Sequence, residues 1–302
     1  MCRGDVGVKE VTFQDPSLST YDIYTFGNDN EGPQVFITAG IHGVEQTAIY
    51  VAYRLIELLP KYQVKGSIKV IPIVNKPAYF NRTRNSPYDN LDLNRVFPGD
   101  EKGTQTMQLA HSIWRETRSA DYIIDLHCCG QHGSNYVMSL YQNYDAQYEL
   151  AHQLGIRHVV RSGGASGQLF LEACKYGQQA ALLELKGGQP DGMIDLETSE
   201  FAINRLLRFL SLVDAIEIEN INNDIENCVF HDKIETICAD EHGFFNPKCQ
   251  SGHHYLKGEV LGELNQKPIV AQYDGLVTAV NYPRYTFTGE RMIRYAKLNK
   301  EK

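Results

Sequence analysis

Between Gln34 and Asp214, short continuously apolar runs rich in β-branched residues alternate with longer segments whose apolar residues recur at helical spacing. That alternation is the pattern of a mostly parallel or mixed sheet flanked by helices, so the fold class is α/β. The strand candidates are Gln34 to Thr38, Ile68 to Val74, Tyr122 to Leu126 and Ala180 to Leu185. Most lack the polar alternation of a half-exposed sheet and are expected to be covered on both faces. Ala48, Val51, Ala52, Leu55 and Leu59 predict an amphipathic helix from Glu45 to Leu59, ended by Pro60 and Gly66. Met107, Ala110, Trp114 and Thr117 predict a second. Ile203, Leu206, Leu207, Leu210 and Val213 predict a third, within a stretch from Ser199 to Glu219 that lacks glycine and proline.

Beyond the polar stretch 219–227 the pattern changes to short strands separated by Gly, Pro and Asn-rich turns. This divides the chain into an α/β domain over 1–222 and a smaller all-β domain over 223–302. In the second, Asp274-Gly275 between Ile269–Tyr273 and Leu276–Val280 reads as the type I′ turn of a hairpin.

Lys+Arg 29 against Asp+Glu 37 gives a formal charge of −8, which repels polyanions and removes any global reason to bind nucleic acid or an anionic membrane. No stretch approaches the roughly 18 apolar residues of a spanning helix, and the first residues form no signal-peptide core. The seven cysteines have no C-x-x-C spacing, so neither a disulfide framework nor a zinc ribbon is indicated. A reducing cytoplasm and a small-molecule partner are the expectations; the oligomeric state is not legible.

Chemistry concentrates in three places. In Thr38-Ala39-Gly40-Ile41-His42-Gly43-Val44-Glu45 a strand turns through a glycine-flanked bend into a helix, and His42 and Glu45 stand three apart. An imidazole and a carboxylate suit zinc, whose hydrolytic sites often use two histidines, a glutamate and one open position. The candidate third ligand is His127, which follows an apolar strand and so points at the rim of the sheet, where open α/β sheets bind their ligands. Cys128 and Cys129 compete for that place and are discounted, because nitrogen and oxygen donors fit hydrolysis better and a free cysteine is often a small buried hydrophobe.

Arg82, Arg84 and Arg95 lie within fourteen residues that hold only two acids, a local positive field suited to an anionic guest. Arg95 can grip a carboxylate bidentately and Asn94 can donate beside it; the bland alternative is a solvated loop of surface ion pairs. Glu184 is a carboxylate inside the apolar strand Leu182 to Leu185, expensive to bury unless paired or functional. Beside a metal site it can serve as general base and then general acid; facing outward, it would pair with Lys186.

Gly40-x-His42-Gly43-x-Glu45, Asp92-Leu93-Asn94-Arg95-x-Phe97-Pro98-Gly99, Asp125-Leu126-His127 and Glu184-x-x-Gly187-Gly188 occur in the order of the succinylglutamate desuccinylase/aspartoacylase family. The chain resembles that branch of the zinc carboxypeptidase fold over most of its length. The resemblance implies one zinc ion on His42, Glu45 and His127, with Glu184 as general acid/base. It further implies Asn94 and Arg95 on the substrate carboxylate, Arg84, or its neighbour Arg82, polarising the scissile carbonyl, and Asp92 orienting a zinc-binding histidine. The tail is similar to lipoyl-type hairpins but has no lysine at Asp274-Gly275, so a wall or lid is expected rather than a carrier. Tyr282 and Tyr285 are read as β surface, with reach into the site as the alternative. The activity implied is removal of an acyl group from a small anionic N-acyl amino acid. A metallocarboxypeptidase is one rival and a metal-free carboxylate-binding protein is another.

Overall fold

The computed structural model describes residues 6–11, 21–28, 32–130, 132–188, 192–219 and 227–300. Its centre is four parallel strands in the order Ser67–Ile71, Gln34–Ala39, Tyr122–Gly130 and Gln179–Lys186. The four expected strands are all present, with ends shifted by a few residues. Tyr136–Ser139 adds antiparallel to Gln179–Lys186, and His158–Arg161 adds parallel to Tyr136–Ser139, so the sheet is mixed.

Alternating side chains feed two cores. Val35, Ile37, Ile124, Leu126, Ala181 and Leu183 face the helices Gln46–Leu58, Asp145–Leu154 and Leu196–Leu212. Phe36, Ile123, Ala180 and Leu182 face Gln105–Thr117 and Leu169–Tyr176. Each of the Val, Ile, Leu and Phe side chains contributes roughly 1.5–3 kcal/mol on burial, and coverage on both faces explains the missing polar alternation.

The first helix stops at Leu58, and Pro60 falls in a following 3-10 turn, Leu59–Lys61, where its missing N–H costs nothing. The glycine-free stretch does not stay helical to Glu219. The Leu196–Leu212 helix ends as Asp214 turns left-handed at φ 60°, and Ile216–Glu217 pairs with Gln63–Val64. Most of the polar stretch 219–227 lies outside the described residues, as do residues 1–5.

The C-terminal segment is antiparallel except at one seam. Val229–Cys238 runs parallel to His158–Arg161 and carries the twelve-stranded sheet on through Arg291–Leu298, Gly275–Val280 and His254–Tyr255. A separate four-stranded sheet has the order Lys267–Val270, Val260–Leu264, Gly243–Pro247 and Arg284–Thr286.

The expected Asp274-Gly275 hairpin does not form. Lys267–Val270 and Gly275–Val280 belong to different sheets, and Gly275 serves close strand approach, since a Cβ there would stand 2.3 Å from the Ala296 carbonyl oxygen. The two-residue turn is Asn265-Gln266, at φ 49° and 68°, joining Val260–Leu264 to Lys267–Val270. Positive φ at both central positions is the type I′ requirement, met here without glycine. Among the described residues, no helix is long and apolar enough to cross a membrane.

Candidate active site

The carboxyl ends of the parallel strands converge on one cavity of about 630 Å³, lined by His42, Glu45, Arg84, Asn94, Arg95, His127 and Glu184 among others. The expected ligands, the proposed acid/base and the Asn94-Arg95 pair therefore share one space with Arg84; Asp92 stands behind it, and Arg82, Tyr282 and Tyr285 lie outside it.

His42 reaches the cavity because the chain turns sharply after Gln34–Ala39. Gly40 adopts φ 69°, and Gly43 packs so tightly that a Cβ would lie 2.0 Å from the Ala78 backbone. Glu45 occupies the cap position of the Gln46–Leu58 helix but makes no capping bond with its side chain. Its carboxylate turns inward instead, with Oε1 2.8 Å from His42 Nδ1 and Oε2 3.0 Å from His127 Nδ1. The two Nδ1 atoms are 3.2 Å apart.

The far nitrogens are anchored on carboxylates. His42 Nε2 lies 3.0 Å from Asp92 Oδ1, and His127 Nε2 lies 2.9 Å from Asp125 Oδ2. Asp125 is fully buried and is held in turn by the Thr38 hydroxyl, which donates to Oδ1 at 2.8 Å. An N–H on each Nε2 leaves each Nδ1 with a lone pair, so two lone pairs and a carboxylate meet at one point. His42, Glu45 and His127 offer three ligand atoms within 4.8 Å of one another, and the buried Glu45 Oε2 has no aligned hydrogen-bond partner. This donor set fits a zinc ion, and histidines backed by carboxylates are the usual surroundings of one.

Charge tells the same story. Burial would lower both imidazoles, but Glu45 and Asp92 raise His42, and Asp125 and Glu45 raise His127 well above its usual range. Burial would raise Glu45, yet the facing imidazoles pull it down to about 2. Three carboxylates around two imidazoles thus draw positive charge into the centre, and a metal cation meets that demand better than crowded protons.

Cys128 and Cys129 stand outside the cluster of His42, Glu45 and His127, and burial holds both thiols well above their usual pKa. Cys128 Sγ accepts a hydrogen bond from the Ala48 amide, and Cys129 Sγ donates to the Leu185 carbonyl.

Glu184 sits beside His127 in strand register and lines the cavity. Its Oε2 is buried without a hydrogen-bond partner, and burial raises its pKa above the ordinary carboxylate value. Lys186, the alternative partner, pairs with Asp195 at 3.0 Å.

Asp92 caps the short Leu93–Arg95 turn, accepting from the Asn94 amide at 2.9 Å, while Arg84 grips its other oxygen through Nε and Nη2 at 3.1 and 2.9 Å. Asn94 is fixed by Leu169 N–H, which donates to Oδ1 at 2.9 Å, so that Nδ2 lies 3.2 Å from His127 Nε2. Arg95 bonds the Asn94 carbonyl at 2.6 Å and lines the cavity. Arg82 turns left-handed at the end of the Lys76–Asn81 helix and does not line it. Neither do Tyr282 and Tyr285, which are 47% and 46% exposed.

Several cavity residues escaped the sequence reading. Arg161, Lys233, Arg291 and Arg294 add to its positive wall, the last three brought by the C-terminal segment. No local pattern marks them. Asp125 did carry a signal: it stands two residues before His127 in a strand, and that spacing puts both side chains on one face.

Residues 31–211 match the model of the succinylglutamate desuccinylase/aspartoacylase catalytic domain. The chain belongs to this family of deacylating hydrolases. A curated relative, the N-alpha-acetyl-L-2,4-diaminobutyric acid deacetylase of Halomonas elongata, is 24% identical over 288 residues, covering 89% of this chain and 83% of that protein. The fold is shared with an aspartoacylase family protein of Mesorhizobium loti, at TM-score 0.81 and 21% identity over 98% of this chain and 96% of that one. It is shared equally with the product-bound ectoine utilization protein EutE of Ruegeria pomeroyi, at TM-score 0.79 and 20% identity over 98% and 97%.

The His127–Asp125 contact yields a prediction. For the zinc ion that this donor set fits, Asp125→Asn should lower the affinity by about 10- to 100-fold, because the ring loses the carboxylate that fixes its tautomer and raises its basicity. Competition titration with a chromogenic chelator reads this directly, and unchanged affinity would remove Asp125 from that role.

Proposed function

We propose that this chain is a zinc-dependent amidohydrolase that removes the acyl group from a small anionic N-acyl amino acid. The observation that carries this reading is the meeting of His42 Nδ1, His127 Nδ1 and the Glu45 carboxylate beside Glu184, in a cavity with a cationic wall. The curated relative's name, a deacetylase of an N-acetylated amino acid, supports the same reaction class.

Zinc held by His42, Glu45 and His127 would supply Lewis acidity and a water whose pKa falls to about 7. Asp92 and Asp125 hold the two imidazoles with Nδ1 toward the centre. Glu184 takes the proton of the attacking water on its unpartnered Oε2 and returns it to the departing amine nitrogen. Arg95, with Asn94 beside it, takes the substrate carboxylate. Arg84 stands at the cavity edge for the scissile carbonyl oxygen, in exchange for one of its contacts with Asp92. Arg291 and Arg294 supply further positive charge, which favours substrates with more than one anionic group over cationic ones.

Zinc-loaded protein assayed for amine release on N-acetyl and N-succinyl amino acids, with short peptides alongside, tests the assignment. Release from N-acyl amino acids alone is expected; release from peptides alone would favour a carboxypeptidase. Arg95→Ala should raise KM for anionic substrates by about tenfold or more with little change in kcat, since a contact made equally in the ground and transition states affects binding. An unchanged KM would place the carboxylate elsewhere.

A further inference from the structure

His158, His231 and His254 bring one ring nitrogen each to within 4.8 Å of one another, and none of the three lines the large cavity. They come from distant parts of the chain. Val229 pairs with His158 across the parallel seam, so His231, two residues later, projects from the same sheet face as His158. His254 arrives on the two-residue strand His254–Tyr255, three strands further along the sheet, which coils enough to set its ring 5.0 Å from that of His231.

The ring nitrogens are arranged as donors to a metal. His231 Nδ1 lies 3.3 Å from the Val159 carbonyl oxygen, and donation there leaves Nε2 with a lone pair. His254 Nε2 stands 3.1 Å from that lone pair. Nitrogens on a tetrahedral zinc, at Zn–N distances of about 2.0–2.1 Å, are about 3.3 Å apart. A cation would replace the single proton these two rings share. The buried His158 Nδ1 has no hydrogen-bond partner, an unpaid desolvation that packing alone does not explain.

We infer that His158, His231 and His254 form a second metal site, for a divalent transition cation of the zinc type, that ties the C-terminal β segment to the main sheet. Three neutral nitrogens without a carboxylate select zinc, copper or nickel over magnesium or calcium. Arg157 is the charged neighbour felt by His158 and His254, so binding rests on the nitrogen donors. His254 is exposed, which gives the ion a path in and leaves its fourth position to water. Holding this seam would also steady the segment that brings Lys233, Arg291 and Arg294 to the cavity.

Zinc content by mass spectrometry, after saturation and dialysis against metal-free buffer, tests the site separately from the catalytic one. Wild type should hold two equivalents, His254→Gln one and Glu45→Gln one. Because His254 is exposed, its replacement should leave the fold intact; His158→Gln provides a second loss at the same site. Zinc added to Glu45→Gln should raise Tm by about 5 °C at a hundredfold excess over Kd, and the double variant Glu45→Gln/His254→Gln should show no such rise. Equal zinc content in wild type and His254→Gln would overturn the inference. A single equivalent in wild type that is kept in Glu45→Gln and lost in His254→Gln would uphold it and refute the catalytic metal site instead.

Discussion

Glu184→Gln is expected to keep the wild-type metal content of the His42, Glu45 and His127 site and to lose about 10²- to 10⁴-fold in kcat, the usual contribution of a positioned acid/base. The substitution is isosteric and leaves all three ligand side chains untouched, so a loss of turnover cannot be charged to a lost ion. What disappears is an oxygen able to take a proton. In the folded protein Glu184 Oε2 is buried with no partner, next to His127 across the strand pair, and burial lifts its affinity for a proton. A base must start deprotonated, so activity should fall as pH drops through the pKa of Glu184, and that acidic limb should be absent from the residual activity of the variant. Near-normal turnover by zinc-loaded Glu184→Gln would remove Glu184 from proton transfer.

Stripping the protein with a chelator should reduce hydrolysis to background, and zinc should restore it. The reason lies in the spacing of like groups. Two Nδ1 atoms 3.2 Å apart, each within 3.0 Å of a Glu45 oxygen, meet with lone pairs opposed once their far nitrogens donate to Asp92 and Asp125. A divalent cation turns that repulsion into ligation. Glu45→Gln should reproduce the chelated state at ordinary zinc concentrations, since an amide oxygen is a weaker donor than a carboxylate. Full turnover in chelated, metal-analysed protein would end the metallohydrolase reading, and tight ligand binding without turnover in either state would favour a binding protein.

Much of the architecture was legible because burial leaves a one-dimensional trace. The runs around Val35, Ile123 and Leu182 are apolar at every position because helices cover both sheet faces, and no longer-range information is needed to see it. Turn chemistry was less legible. Asp274-Gly275 has the composition of a type I′ turn, but the glycine is there to admit the Ala296 carbonyl, while Asn265-Gln266 makes such a turn without one. Local sequence states which backbone angles are tolerated; the strands on either side decide which are used.

The candidate site divides along the same line. His42, Glu45, Asp92, Asn94, Arg95, His127 and Glu184 were all visible in the sequence, since each follows or ends a readable strand or lies in a short motif. Asp125 was visible in a motif without its role, which became clear only when its carboxylate was seen on His127 Nε2. The cations Arg161, Lys233, Arg291 and Arg294, and the histidine cluster His158, His231 and His254, carry no local mark. By itself the sequence determined the α/β framework and the strand ends that carry the candidate ligands, because hydrophobic period and backbone tolerance are properties of neighbours along the chain. Only the tertiary structure decided which charges share the cavity and which imidazoles meet at the seam, because the coil of the sheet sets distances between residues the chain keeps far apart.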